Sequence, residues 1–172
     1  MSNQQSENII GLGVYTLKEA ALYSGVSPQK LSRWLYGTKT SAPIVTSQLL
    51  QEKLVSFLDL IQSKSIYEAR RLGLSLQKIR EAIEISEKYY NVEFPLAHRY
   101  ALVKFGNELH IRNHVNERIT TVTGKQKHQT LMAQIVDKFM QDLEFNKEGI
   151  AKLYTPFENK GIRITLNPKV QF

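Results

Sequence analysis

This chain predicts an α+β fold, on three features of its sequence. The stretch Thr16 to Tyr36, TLKEAALYSGVSPQKLSRWLY, has the layout of two short helices joined by a Gly-Val turn. Apolar residues then recur at helical spacing as far as Tyr90. Beyond Asn91 the pattern changes. Tyr100 to Lys104 and Leu109 to Arg112 flank Phe105-Gly106-Asn107-Glu108, which is the pattern of a β-hairpin around a Gly-Asn turn.

The first helix begins after Thr16, a capping residue, and Glu19 three positions on completes a capping box. Ala20 and Ala21 are small where a second helix must cross closely. Gly25 supplies the left-handed conformation of a sharp turn, and Val26 plugs the angle between the helices. Ser27 is placed to cap the second helix, with Pro28 in its first turn, where a missing N–H does no harm. Leu31, Trp34 and Leu35 should face inward, leaving Gln29, Lys30, Ser32 and Arg33 outward.

After Tyr36, Gly37, Ser41 and Pro43 interrupt helix while Ile44 and Val45 favour strand, so a small wing (a hairpin or loop) is expected beside the second helix. Ser56 caps a third helix with Asp59 in its first turn. Its apolar face is Phe57, Leu60, Ile61, Ala69 and Leu72, and it ends at Gly73. Arg70 and Arg71 suit either phosphate or the dipole at that helix's end. Ser75 starts a fourth helix, lined by Leu76, Ile79, Ile83 and Tyr90 and ended by Asn91.

In the second half, Leu131, Ile135, Val136, Phe139 and Leu143 mark an amphipathic helix, widened by Met132 and Met140. Strands are expected at Ala151 to Tyr154 and Ile162 to Leu166, around a turn containing Asn159-Lys160-Gly161. The expected organisation is a flexible arm over 1–13, a winged helix-turn-helix domain over 14–91, and a small hairpin, helix, hairpin module over 92–172. That last module would serve dimer formation, partner docking or simply its own core.

Charge directs the functional reading. The net charge of +7 is modest and spread along the chain, but the window from Ala20 to Gln51 contains no Asp or Glu and keeps Lys30, Arg33 and Lys39. A positive helical pair without acids suits a DNA duplex, because phosphates hold bases and repel acids. Arg33 and Gln29 have the side chains that pair with guanine and adenine edges. Lys30, Ser27, Ser32 and Lys39 suit phosphates, and Thr38 and Thr40 flank Lys39 in the wing. Thr16, Lys18 and Tyr36 complete the candidate DNA-binding set.

Other chemistries are not indicated. With no cysteine, disulfides and thiolate metal sites are excluded. His110 and His114 lack companion acids, and His98 and His128 stand apart. Gly11-Leu12-Gly13 lacks the third glycine of a dinucleotide loop, and Thr123-Gly124-Lys125 lacks the glycine-rich start of a phosphate loop. No catalytic residue, metal or cofactor is expected. MSNQQSENII is not a signal peptide and no run reaches the ~20 apolar residues that span a bilayer, so a soluble cytoplasmic protein without a membrane partner is expected.

EAALYSGVSPQKLSRW followed by RRLGLSLQKIREAI resembles the DNA-binding domain of the MerR superfamily over about residues 14–90. The resemblance implies a recognition helix over Ser27 to Arg33 and a wing after it. Where the family has Arg in a Thr-Leu-Arg-Tyr-Tyr run, this chain has Ser32, and the aromatic pair falls at Arg33 and Trp34. The wing lacks the family's Gly-Tyr-Arg-x-Tyr signature, and neither a long coiled coil nor metal-binding cysteines follow. A metal- or drug-sensing activator is therefore not expected.

More narrowly, YTLKEAA through VSFLDLIQ and the closing GIRITLNPKVQF resemble bacterial proteins with a MerR-like head, some of them antitoxins of PIN-type ribonuclease toxins. In those, the phrase ending at Phe172 is usually followed by Gly-x-Pro and Gly-Thr-Arg-Ile-Pro, so a chain truncated before a C-terminal domain is expected.

The expected function is a transcriptional autorepressor that binds double-stranded DNA as a homodimer, since one short recognition helix reads few base pairs. The alternative is an antitoxin or adaptor whose main ligand is a toxin protein encoded nearby. A third option is a small-ligand sensor in the second module, although no ligand pocket is legible in the residues.

Overall fold

The computed structural model describes residues 11–71, 73–98, 100–105, 108–113, 118–121, 139 and 141–170. The described residues form an α+β fold with four α-helices, a two-stranded ribbon and two three-stranded antiparallel sheets. The ribbon pairs β1 (Val14–Tyr15) with β2 (Val55–Ser56). Between these strands in sequence lie α1 (Leu17–Ser24) and α2 (Pro28–Tyr36), and after them come α3 (Phe57–Arg71) and α4 (Leu76–Tyr90).

The capping box forms as the sequence predicts. Glu19 Oε2 accepts from the Thr16 amide at 2.7 Å, and Thr16 Oγ1 accepts from the Glu19 amide at 3.2 Å. The Thr16 amide bond first, and then the Thr16 hydroxyl, which donates to the same carboxyl oxygen at 2.8 Å, hold the Glu19 carboxyl below its ordinary pKa. Gly25 closes α1 with φ +71°, a conformation that costs glycine little. Ser24 Oγ donates to the Ala20 carbonyl at 2.6 Å and accepts from the Val26 amide at 3.2 Å, so the turn is tied from inside.

The arm expected to be flexible is tied at its end. Phe57 N–H is shared between the Leu12 and Gly13 carbonyls, at 2.9 and 3.0 Å. Gly13 is buried, and a Cβ there would meet Pro168 at 3.0 Å.

Ser56 and Asp59 cap α3 reciprocally: Asp59 N–H donates to Ser56 Oγ and Ser56 N–H to Asp59 Oδ2. Asp59 is completely buried and also accepts from Ser47 Oγ at 2.9 Å. Burial pushes its carboxyl upward in pKa, against those hydrogen bonds. Phe57, Leu60, Ile61 and Ala69 are buried as expected, while Leu72 lies outside the described residues. Arg70 donates to the Leu74 carbonyl at 2.7 Å and Arg71 pairs with Glu68 at 3.1 Å, so both serve the end of α3. Ser75 caps α4 through Lys78 N–H, and Asn91 ends it with φ +48°. Leu76 is partly buried in α4, Ile79 is fully buried and Ile83 is buried but for a small edge.

A 3-10 turn, Pro95–Ala97, leads to β3 (Tyr100–Phe105), β4 (Glu108–Asn113) and β5 (Arg118–Thr121). Phe105 pairs with Glu108, in the register of the predicted hairpin. Strand β5 was not legible, because Arg-Ile-Thr-Thr is short and lacks a turn signal before it. Leu131, Met132, Ile135, Val136, Met140, His114 and His128 lie outside the described residues, as does the Tyr90 side chain. Leu143, expected at the end of a helix, instead opens β6 (Leu143–Phe145).

Strand β6 pairs with β7 (Ala151–Asn159), and β7 with β8 (Ile162–Leu166). Strand β7 runs five residues past the predicted Tyr154. It does so through an irregularity between Tyr154 and Phe157, where Pro156 sits and no ladder N–H is needed. Lys160 and Gly161, with φ +47° and +82°, make the turn.

Buried residues from both halves form one cluster: Leu31, Trp34, Leu35, Phe57 and Leu60 with Phe139, Leu143, Ala151, Tyr154 and Leu166. Tyr154 packs edge-on against Phe139, and burial pushes its phenol well above the usual pKa.

Candidate nucleic-acid interface

Helix α2 separates its residues by face. Leu31, Trp34 and Leu35 are buried, while Gln29, Lys30 and Arg33 are exposed and Ser32 is half-buried. The inward side locks the helix against the core, so the outward side is carried on a rigid support. Ser27 occupies the N-cap position, but contrary to expectation its side chain makes no capping bond. It is exposed and leaves the first-turn amides of α2 without an N-cap bond. Uncapped amides at a helix N-terminus are where a phosphate oxygen is well received. Helix α1, by contrast, has its N-terminus closed by the Thr16–Glu19 box.

The segment after α2 is a tight turn rather than a long hairpin. Thr38 and Ser41 form an isolated bridge, with Thr38 N–H donating to the Ser41 carbonyl at 2.8 Å. Thr38, Lys39 and Thr40 are exposed at its tip. The two threonine hydroxyls lie 3.4 Å apart, and Thr38 Oγ1 also accepts from Thr40 N–H. Gly37 is required here: its φ is +73°, and a Cβ would come within 2.7 Å of the Ser41 carbonyl. Ile44 and Val45 form no strand. They are buried, and their amides donate to the Trp34 carbonyl at 2.7 and 3.5 Å, anchoring the turn to the end of α2.

Two expected site residues have structural partners. The Tyr36 hydroxyl donates to the Leu54 carbonyl at 2.8 Å, and burial pushes its pKa up to about 12. The Thr16 hydroxyl is engaged with Glu19. Lys18 is exposed on α1.

Sequence reasoning missed Arg80, which reaches from α4 to the Ala42 carbonyl at 2.5 Å and the Pro43 carbonyl at 3.3 Å. It thereby fastens the exit of the turn to α4. No spacing rule could have found it, since the partners are 38 and 37 residues apart. Among the described residues no group of three His, Asp or Glu side chains could hold a metal. No helix among them is long and apolar enough to cross a membrane.

No protein-family model matches this chain, and no curated protein does. Among solved structures it is similar to Rv2018 from Mycobacterium tuberculosis, with a TM-score of 0.59 and 16% sequence identity, over 93% of this chain and 76% of that one. At that identity the likeness shows a shared fold.

Proposed function

We propose that this chain is a sequence-specific regulator that binds double-stranded DNA through α2 and represses by occupying its operator, most simply at its own promoter. The observation that carries this reading is the outward row of Gln29, Lys30 and Arg33 on a helix whose other side is core. The surrounding acid-free stretch, the uncapped first turn of α2 and the Lys39 turn support it. In this reading Arg33 and Gln29 contact base edges, and Lys30, Ser27 and Lys39 contact phosphates. Thr16 and Tyr36 position the site. A homodimer would place two such helices about 34 Å apart, one turn of the duplex.

The test is a selection of duplexes from a random pool at stated salt, followed by titration of the selected and a scrambled duplex. Arg33→Ala should cost ~1–3 kcal/mol on the selected duplex and little on the scrambled one, whereas Lys30→Ala should weaken both alike. Equal losses for Arg33→Ala on both duplexes would remove it from base reading.

A second reading, capture of a protein partner such as a toxin encoded nearby, has its own support. Phe157 and Ile164 are directly paired, and Ile162 shares their side of the β7–β8 hairpin; all three are exposed. An apolar side of this kind suits self-association or a protein partner. Co-expression with the neighbouring gene product, followed by purification through this chain, separates the two: a regulator working alone should elute without it.

A further inference from the structure

We infer that the cleft between Ile44–Thr46, helix α3 and the C-terminal end of α4 binds a small amphipathic cation, an amine or guanidine carrying an apolar body. The cleft has a volume of about 480 Å³, within the range of small-molecule sites. Three kinds of lining residue determine what it would accept.

Ile44, Ile83 and Phe94 supply apolar walls. Glu87 and Glu93 stand at its exposed edge, and no Lys or Arg is among the described lining residues. Gln62 also lines it. That side chain is only 3% exposed, yet none of the hydrogen bonds among the described residues involves its amide. The residue is largely covered but its amide atoms open onto the cleft, so a polar atom of a ligand or a water can meet them there.

The sign of the charge follows from two independent features. Two carboxylates edge the cleft, and Asn91, which also lines it, closes α4 at the negative end of its dipole. An anion would face both. An apolar body alone would leave the carboxylates and the Gln62 amide unused. A cation with an apolar tail uses the carboxylates and the walls together, with the ammonium at Glu87 and Glu93 and the tail against Ile44, Ile83 and Phe94. This site lies between the Ile44–Thr46 segment, α3 and the end of α4, outside the C-terminal module, and it stands whether or not α2 binds DNA.

The test is calorimetric titration of the full chain with three probes that share one tail: 4-phenylbutylamine, 4-phenylbutanol and 4-phenylbutyrate. The amine should bind with one-to-one saturation and at least about tenfold more tightly than either other probe, as a charge-assisted hydrogen bond provides. Glu87→Gln combined with Glu93→Gln, both at exposed positions, should bring the amine down to the alcohol's affinity without changing the melting temperature. Thr46→Phe, at an exposed lining position, should block all three probes. Equal binding of amine and butyrate, unchanged amine binding by the double variant, or no saturable heat from any probe would each overturn the proposal.

Discussion

Helix α2 and the β7–β8 hairpin each have a covered side and a bare side, and their bare sides are opposite in character. On α2 the bare side is Gln29, Lys30 and Arg33, and every large apolar residue is turned in. On the hairpin, Tyr154 pairs with Leu166 and both are buried, but further out Phe157 and Ile164 are 45% and 41% exposed and Ile162 is 63% exposed. The hairpin is longer than the core it rests on. Its irregularity at Pro156 keeps Phe157 on the same side as Tyr154, because a three-residue step in a regular strand would have turned it to the other. The other side is polar, with Arg163 near Thr155 and Thr155 near Thr165. One chain thus presents a polar cationic ridge suited to phosphates and an apolar ridge suited to protein.

The largest expected contrast is in stability. Trp34→Ala removes a buried side chain and should cost ~3–5 kcal/mol, while Phe157→Ala should cost no more than about 0.5 kcal/mol in urea unfolding of the monomer. A comparable loss for Phe157→Ala would show that the hairpin tip is covered and would end the contrast. Asp59→Ala comes next, at about 2–3 kcal/mol. It removes the return half of the reciprocal cap of α3 and leaves the Ser56 amide and the Ser47 hydroxyl buried without their acceptor. Chemical denaturation measures it, and a loss below about 1 kcal/mol would reduce Asp59 to an ordinary cap.

Function should divide along the same line. Phe157→Lys with Ile164→Lys should abolish self-association or partner capture in light scattering and pull-down, yet leave binding of a single half-site within about twofold. A matching loss of half-site affinity would mean that the two ridges act as one surface.

The smallest effect is local. Thr16→Ala should cost ~1 kcal/mol at neutral pH by removing the cap of α1. The Glu19 carboxyl has a folded pKa below its unfolded value, so its share of the box is present above the unfolded pKa and is lost as pH falls through the folded one. The gap between parent and Thr16→Ala melting temperatures should therefore narrow as pH falls through the folded pKa of Glu19, by the share of the Thr16 hydroxyl's bond to that carboxylate, while the share of the Glu19 N–H to Thr16 Oγ1 bond persists at all pH.

Features built from neighbours in sequence were legible. The Thr16–Glu19 box, the Gly25 turn and the inward row Leu31, Trp34, Leu35 depend on separations of three or four residues, where helix geometry alone decides who meets whom. The Lys160-Gly161 turn was legible for the same reason. Local reasoning failed where a distant partner decided the outcome. Ile44 and Val45 have the side chains of a strand, but the Trp34 carbonyl takes their amides and holds them as a bent wall. Ser27 looks like a cap and makes no capping bond. Leu143 continues a helical spacing, yet pairs across to Tyr154. The strand expected to end at Tyr154 in fact continues past Pro156 to Asn159.

The order of residues by itself determined the helix pair, the capped start of α1, the acid-free window and the side of α2 that faces water, because each follows from short-range spacing and charge. Only tertiary structure decided that Asp59 is sealed under Ser47, that Arg80 fastens the turn to α4, that Gln62 is left without a partner beside a cleft, and that the hairpin tip runs beyond its support. Those outcomes depend on which surfaces meet across tens of residues. The free energy of burial is set by that meeting and not by any residue's own preference.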